Sequence, residues 1–260
     1  MLGLGHDRPD DTRRRVDEDL SLDPVRSHGE NAITMRNLGL HRLPRMCNYR
    51  LHKLNSREGG TLTSATSRDL VAVLQMTLDG RILDADGGSA WVDSWADGLE
   101  LLPPVNGFVL GAGMFSAYEQ FWTAMLEDPA AAAEMLGRDP YPREIAYAEL
   151  AAQTEHLVLS ATLADVTWPS ARIVRSIEEI RTFKHDDVGA VYVVGGPTLI
   201  TSLLDAGLLD ELRLIVHPIL VGDGPSLTNV HRSPQHLQLV AAEPAAGGRV
   251  TLAYRPARAG

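Results

Sequence analysis

The chain has 260 residues, 44% hydrophobic and 22% charged, and 34 Asp and Glu against 24 Lys and Arg give a net charge of −10. These are the proportions of a soluble globular protein with room for a sizeable core, and the acid excess argues against a nucleic-acid surface, which needs clustered basic residues. Cys47 is the one cysteine, so no internal disulfide can form. With no apolar run long enough for a membrane span and no signal-peptide core, this points to the cytoplasm.

Residues 1–60 hold 11 Lys and Arg against 9 Asp and Glu, whereas residues 61–260 hold 13 against 25, so the chain changes character near residue 65. The first 65 residues lack a sustained hydrophobic period and read as a disordered or loosely attached extension. Within them, residues 36–57 carry no acid and include His41, Tyr49 and His52. An RNA-binding or targeting arm is the functional reading of that stretch. A basic run without a motif carries little weight, and an unstructured extension is the simpler reading.

From Asp69 the pattern becomes orderly. Residues 70–76 predict a buried strand, and Leu78-Asp79-Gly80-Arg81 a turn after it. Residues 106–111 predict a second strand, leading into a helix around 115–126. The Ala-rich residues 128–143, flanked by Pro129, Pro140 and Pro142, read as an insertion with one short helix. A helix over 144–153, a strand over 156–160 and a short helix over 176–184 follow. Strands are predicted again at 191–194, 212–220, 237–243 and 249–255, the last two forming a hairpin about Pro244-Ala-Ala-Gly-Gly248. Early strand–helix alternation and late clustered strands define an α/β fold over residues 66–257. Its central sheet is mostly parallel with an antiparallel C-terminal edge, and helices lie on both faces.

The stretch Val191-Tyr-Val-Val-Gly-Gly-Pro-Thr-Leu-Ile200 is the most informative. A β-branched strand ends in Gly195-Gly196, Pro197 suits the first turn of a helix, and helical spacing continues behind it. Bare glycines between strand and helix expose backbone N–H groups at the positive end of a helix dipole, where a phosphate can rest. A tight βα turn without a ligand would use the same residues.

Three earlier segments also fall at or just past the end of predicted strands: Leu78-Asp79-Gly80, Val109-Leu-Gly111 and Val158-Leu-Ser160. In open α/β sheets that is where ligands bind. The last motif runs on as Leu203-Leu-Asp-Ala-Gly-Leu-Leu-Asp-Glu-Leu-Arg-Leu-Ile-Val-His-Pro-Ile-Leu-Val-Gly-Asp-Gly-Pro225. With these residues the chain resembles the dihydrofolate-reductase-like family, in the branch related to the reductase domain of riboflavin biosynthesis. The resemblance runs from about Asp69 to the C-terminus and is most specific from Val191 to Pro225. It implies a reductase that moves a hydride from NADPH or NADH to a small heterocyclic, imine or carbonyl substrate, pterin- or pyrimidine-like. It also implies that Gly195, Gly196, Thr198 and Leu199 face the cofactor pyrophosphate, and that Gly111 and Ser160 border the adenosine side. Asp79, Gly80, Ser89 and Trp91 would meet substrate and nicotinamide, with Asp79 as hydrogen-bonding or proton-relaying carboxylate. A homodimer with residues 212–220 in its contact is implied as well, and no metal.

Each residue also has a plainer reading: Asp79-Gly80 as a turn pair, Ser160 as a strand-end cap, Trp91 as a core cap, His217 as a structural histidine. The pattern also departs from the family. Arginines that commonly hold the 2′-phosphate of NADPH are replaced after the second strand by Ala112 and after the third by Ala161. Arg138, Arg172 and Arg175 are the candidates to substitute from elsewhere. NADH preference, another reduced cofactor, or a non-catalytic ligand-binding or regulatory protein on a degenerate reductase scaffold are the alternatives this leaves.

Overall fold

A computed structural model describes residues 67–227 and 234–257; the extension expected over residues 1–65 lies outside them. Eight strands form one sheet: β1 (Arg68–Thr77), β2 (Val105–Gly111), β3 (His156–Leu159), β4 (Ala171–Val174), β5 (Gly189–Val194), β6 (Glu211–His217), β7 (Leu237–Pro244) and β8 (Val250–Pro256). Five helices accompany them: α1 (Ala112–Glu127), α2 (Pro129–Leu136), α3 (Pro142–Gln153), α4 (Ile177–His185) and α5 (Pro197–Asp205). The strand order is β4-β3-β2-β5-β1-β6-β8-β7. The first six of these run parallel, and β8 and β7 close the sheet antiparallel. This is the mixed sheet expected from the sequence.

Alternation along the central strands divides the interior in two, because successive side chains point to opposite faces. Val191 and Val193 of β5 and Val109 of β2 pack on one face with Ile180 and Phe183 of α4 and Leu199, Ile200 and Leu203 of α5. Tyr192, Phe108 and Leu110 point the other way, onto Phe115, Tyr118 and Trp122 of α1 and Tyr147, Ala148 and Ala151 of α3. The second core is aromatic and contains a buried histidine. The His156 ring stacks on Phe108, centroids 4.4 Å apart and planes 2° apart. Its Nδ1–H donates to the Thr154 carbonyl at 2.7 Å, which leaves Nε2 to accept from the Tyr118 hydroxyl at 3.2 Å. Burial holds its pKa down at about 4, so the ring is neutral in the fold.

Several elements differ from the sequence expectation. Residues 128–143 hold the one short helix expected there, α2, but α3 starts ahead of the helix expected over 144–153. Asp128 caps α2, Gly137 ends it at φ 66°, and α3 begins at Pro142 inside the same stretch. Strand β4 and a 3-10 helix at Trp95–Leu101 were not expected. The strand expected over 212–220 ends at His217 and lies inside the sheet, between β1 and β8, so it is not a bare edge open to a partner. That edge is β7, where Leu239 is 52% and Val240 38% exposed.

Candidate functional site: a crevice between two glycine-capped helices

After β2 the chain passes through α1 to α3 toward β3 on one side, and after β5 it passes through α5 to β6 on the other, crossing β1. The adjacent strands β2 and β5 therefore send the chain in opposite directions, and their helices cover opposite faces. At such a switch point a crevice opens outside the carboxyl ends of the strands. Gly111 and Gly196 stand there as the N-cap residues of α1 and α5, and neither helix has a side-chain cap. By contrast, α4 carries a full capping box from Ser176 and Glu179.

In α5 the first intrahelical bond runs from Ile200 N to the Gly196 carbonyl, and Pro197 has no N–H, so the Thr198 and Leu199 amides are left to solvent or a ligand. The two glycines before them differ in kind. A Cβ on Gly195 would stand 2.6 Å from Leu199 Cδ2, so this glycine lets the helix pack on the strand. A Cβ on Gly196 would meet nothing within 4 Å, so this one borders open space at the helix end. Gly111 faces the same place, since a Cβ there would lie 3.9 Å from Leu199 Cβ. Ser160 follows β3, one strand farther out. Its hydroxyl oxygen accepts from Thr162 N at 3.2 Å and Leu163 N at 2.9 Å, which shapes the turn and leaves its O–H as a free donor.

The residues expected to face substrate lie beyond the end of β1. Gly80, at φ 80°, closes the turn through its N–H to the Thr77 carbonyl. Asp79 lies in this turn, and both of its oxygens are engaged. Oδ1 accepts from the Thr77 hydroxyl at 2.6 Å and from Val221 N at 3.4 Å, and Oδ2 from Gly222 N at 2.8 Å. These bonds, that from Thr77 foremost, hold its pKa below the ordinary carboxylate value. Arg81 ties the same two loops from the other direction, donating to the carbonyls of Gly222 at 2.7 Å and Gly224 at 3.1 Å. Ser89 accepts a turn bond from Val92 N at 2.8 Å and leads into Trp91. The Trp91 indole N–H is buried with no partner among the described residues.

Trp91 also locates two residues that the sequence reading did not assign to the site. Its ring meets His217 edge-on at 4.9 Å. His217 ends β6 and is 5% exposed, with Nε2 2.8 Å from Gln75 Oε1. Gln75 Nε2 donates to the Ser94 carbonyl at 2.7 Å, which fixes its amide and makes its oxygen the atom facing His217. Nε2 of His217 is thus the protonated nitrogen. Burial lowers its pKa, with the Arg249 cation adding to the effect. Close by, Asp97 joins Arg143 at 2.8 Å to Arg249 at 2.5 Å and so fastens the 3-10 helix to α3 and to the start of β8. Only the His217-Pro218 pair at the end of an apolar run hinted at this cluster in the sequence.

The three candidate arginines separate cleanly. Arg138 grips buried Glu144 through two bonds of 2.9 Å. Arg172 pairs with Glu155 at 2.6 Å near the amino ends of β3 and β4, beside a cavity of about 360 Å³ lined by those two residues, Gln153 and residues 169–171. Arg175 lies just past the carboxyl end of β4, on the crevice side of the sheet. No cluster of His, Cys, Asp or Glu suited to a metal occurs among the described residues, and none of their helices is long and apolar enough to cross a membrane.

A doubly wound, mostly parallel sheet with a glycine-lined crevice at its switch point defines the fold class, an open α/β sheet. The sequence profile of the RibD C-terminal domain matches residues 68–251, and the chain belongs to that family. A relative, "Uncharacterized protein YyaP" of Bacillus subtilis, is 25% identical over 190 residues, covering 72% of this chain and 94% of its own. A putative riboflavin biosynthesis protein from Shewanella sp. PV-4 superposes with a TM-score of 0.50 at 19% identity, over 73% of this chain and 99% of the other. Dihydrofolate reductase from Enterococcus faecalis, complexed with NADP(H), gives 0.46 at 17% identity, over 72% and 96%.

Proposed function

We propose that this protein is a nicotinamide-dependent reductase that delivers a hydride to a small heterocyclic, imine or carbonyl substrate. The observation that carries the reading is the pair of uncapped, glycine-capped helix ends, α1 and α5, converging where β2 and β5 diverge. The free N–H groups of Thr198 and Leu199 fit a diphosphate, and the open side of Gly196 gives the backbone room to approach it. Membership of the RibD C-terminal domain family supports the same reading.

When bound, the cofactor supplies the hydride and the electron pair that travels with it. The chain's part is to bind, orient and exclude water. Gly111 and Ser160 border the adenosine side, and Trp91 and His217 the far end, with Gly80 and Ser89 lining the approach. Asp79, deprotonated and bonded through both oxygens, serves here as a positioning residue that holds the β1 and β6 loops beside the substrate. A homodimer is part of this reading, and its contact moves from β6 to the exposed edge at β7.

Fluorescence titration of the purified full chain with NADPH and NADH is the test. Saturable binding of either at micromolar concentration is expected. Binding of neither would leave a ligand-binding or regulatory protein on the same scaffold as the better reading.

A further inference from the structure

The loop between β1 and the 3-10 helix carries Ser89 and Trp91, and hydrogen bonds fasten it at its two ends only. At the near end Ile82 N donates to the Pro225 carbonyl at 2.9 Å, beside the ties made by Asp79 and Arg81. From Asp84 to Val92 the bonds close on the loop itself. Asp84 N donates to the Gly88 carbonyl, Gly87 N to the Asp84 carbonyl and Val92 N to the Ser89 carbonyl, while the Asp86 and Gly88 amides donate to Asp84 Oδ1. Among the described residues, none of its hydrogen bonds reaches the sheet, and its buried Trp91 N–H has no partner. A segment bonded to itself rather than to the body moves as a unit, and an N–H shut away without an acceptor works against the closed position.

The far end is held by the stretch that the sequence marks as an insertion. Three of its side chains converge on Asp93. Arg143 Nη2 donates to Oδ2 at 2.9 Å, the Tyr141 hydroxyl to Oδ1 at 3.2 Å, and Arg138 Nη2 to the Asp93 carbonyl at 2.6 Å. Both guanidinium groups also lie over the Tyr141 ring, their Cζ atoms 3.7 and 4.3 Å from its centroid. Arg138 is fixed in turn by its two bonds to buried Glu144. Two of these choices run against the local needs of α3. Arg143 puts a cation in the first turn, where the helix dipole disfavours it, and Tyr141 is not among the residues that cap a helix best. Both serve Asp93 instead. The next residue, Ser94, is buried and bonded to Gln75, so Asp93 is the last point at which the loop can be let go.

Resting on the reading above that Trp91 borders the far end of the crevice, we propose that α2 and α3 form a clamp on the Trp91 loop, with Asp93 as its latch. The latch sets how often the loop opens to admit or release a ligand. Asp93 and Arg143 are positioning residues, acting on the site through Trp91. The Asp93 side chain is 54% exposed, so its ion pair with Arg143 is weaker than a buried one, and its loss loosens the loop without unfolding the protein.

The experiment follows solvent exchange of the Trp91 indole N–H by NMR in the full chain, its signal assigned by loss in Trp91→Phe. Asp93→Ala and Arg143→Ala are each expected to speed that exchange by about three- to tenfold, the range open to a part-exposed ion pair. The double variant is expected to match Arg143→Ala closely, and Arg143→Lys, which keeps a charge for Asp93, to recover part of the wild-type rate. Amide exchange in β5 is expected to stay unchanged, as is indole exchange in Arg172→Ala, which breaks an ion pair elsewhere on the sheet. Release of NADPH or NADH, followed by stopped flow, is expected to quicken in the latch variants by a similar factor. Wild-type indole exchange in both single variants would overturn the clamp, and so would full additivity in the double variant. Faster indole exchange with unaltered dinucleotide release would overturn the control of ligand passage. Failure of the wild-type chain to bind either dinucleotide would remove the reading beneath, while indole exchange still decides the clamp.

Discussion

His217 Nε2 and Gln75 Oε1 lie 2.8 Å apart across 142 positions of sequence, and the Ser94 carbonyl settles which atom of the amide faces the ring. Three groups from β6, β1 and the 3-10 helix entry are therefore matched donor to acceptor. Gln75→Leu would leave the buried His217 N–H without a partner and the Ser94 carbonyl with only the long 3.5 Å bond from Asp97 N, at about 1–3 kcal/mol. Denaturant unfolding of the variant is expected to show that loss with an unchanged m-value.

The paired glycines of the β5–α5 turn have opposite roles. Gly195→Ala pushes a methyl into Leu199, 2.6 Å from Cδ2 and 3.2 Å from Cβ, and overpacking of this kind costs about 1–3 kcal/mol. Gly196 has φ −79°, which alanine adopts freely, and its added Cβ meets no atom within 4 Å. Gly196→Ala is expected to melt with wild type and to bind NADPH or NADH at least about tenfold more weakly. Equal dinucleotide affinity in Gly196→Ala and wild type would count against a ligand at this corner.

Acid should unfold the protein from its aromatic core. His156 is held neutral with a pKa of about 4, against an ordinary 6.5, by burial. Between those values the unfolded chain binds the proton and the folded chain does not, so stability is full above pH 6.5 and falls as pH drops toward 4. The difference corresponds to roughly 3 kcal/mol, of which about 2 is lost by pH 5. His217, lowered for the same reason, adds in the same direction. Stability measured from pH 7.5 to 4.5 is expected to decline, and His156→Gln to flatten the decline.

Asp79 ties the turn after β1 to the loop after β6. Asp79→Asn replaces one accepting oxygen with an NH2 that faces a donor, either Thr77 Oγ1 with Val221 N or Gly222 N. Faster amide hydrogen exchange at Gly222 is expected, with exchange in β5 unchanged. Unaltered exchange at Gly222 would mean that Arg81 holds the loops by itself.

How far the sequence could be read follows from contact range. The β5–α5 corner is legible because strand, glycine pair, proline and helix are consecutive, and each residue type signals its own local geometry. Its neighbours in the sheet, β1 and β2, are apolar runs whose burial follows from composition. Strand β4 is not legible, since Ala171–Val174 offers four residues behind a proline and a serine, too few for a period. The 3-10 helix is hidden by Gly98 and by the absence of a repeat. Nothing local to Asp79 reveals the Gly222 amide, 143 positions away, that bonds its second oxygen. The partners of His217, Gln75 and Trp91, are likewise remote in sequence.

The β2–β5 ladder, irregular between Val105 and Gly107, is the seam where the sheet's two directions of winding join. Any molecule that rests on α1 and α5 together spans this seam and works as a rivet between both halves. Saturation at a hundred times Kd would add about 2.7 kcal/mol against unfolding, concentrated where the backbone has least to hold it.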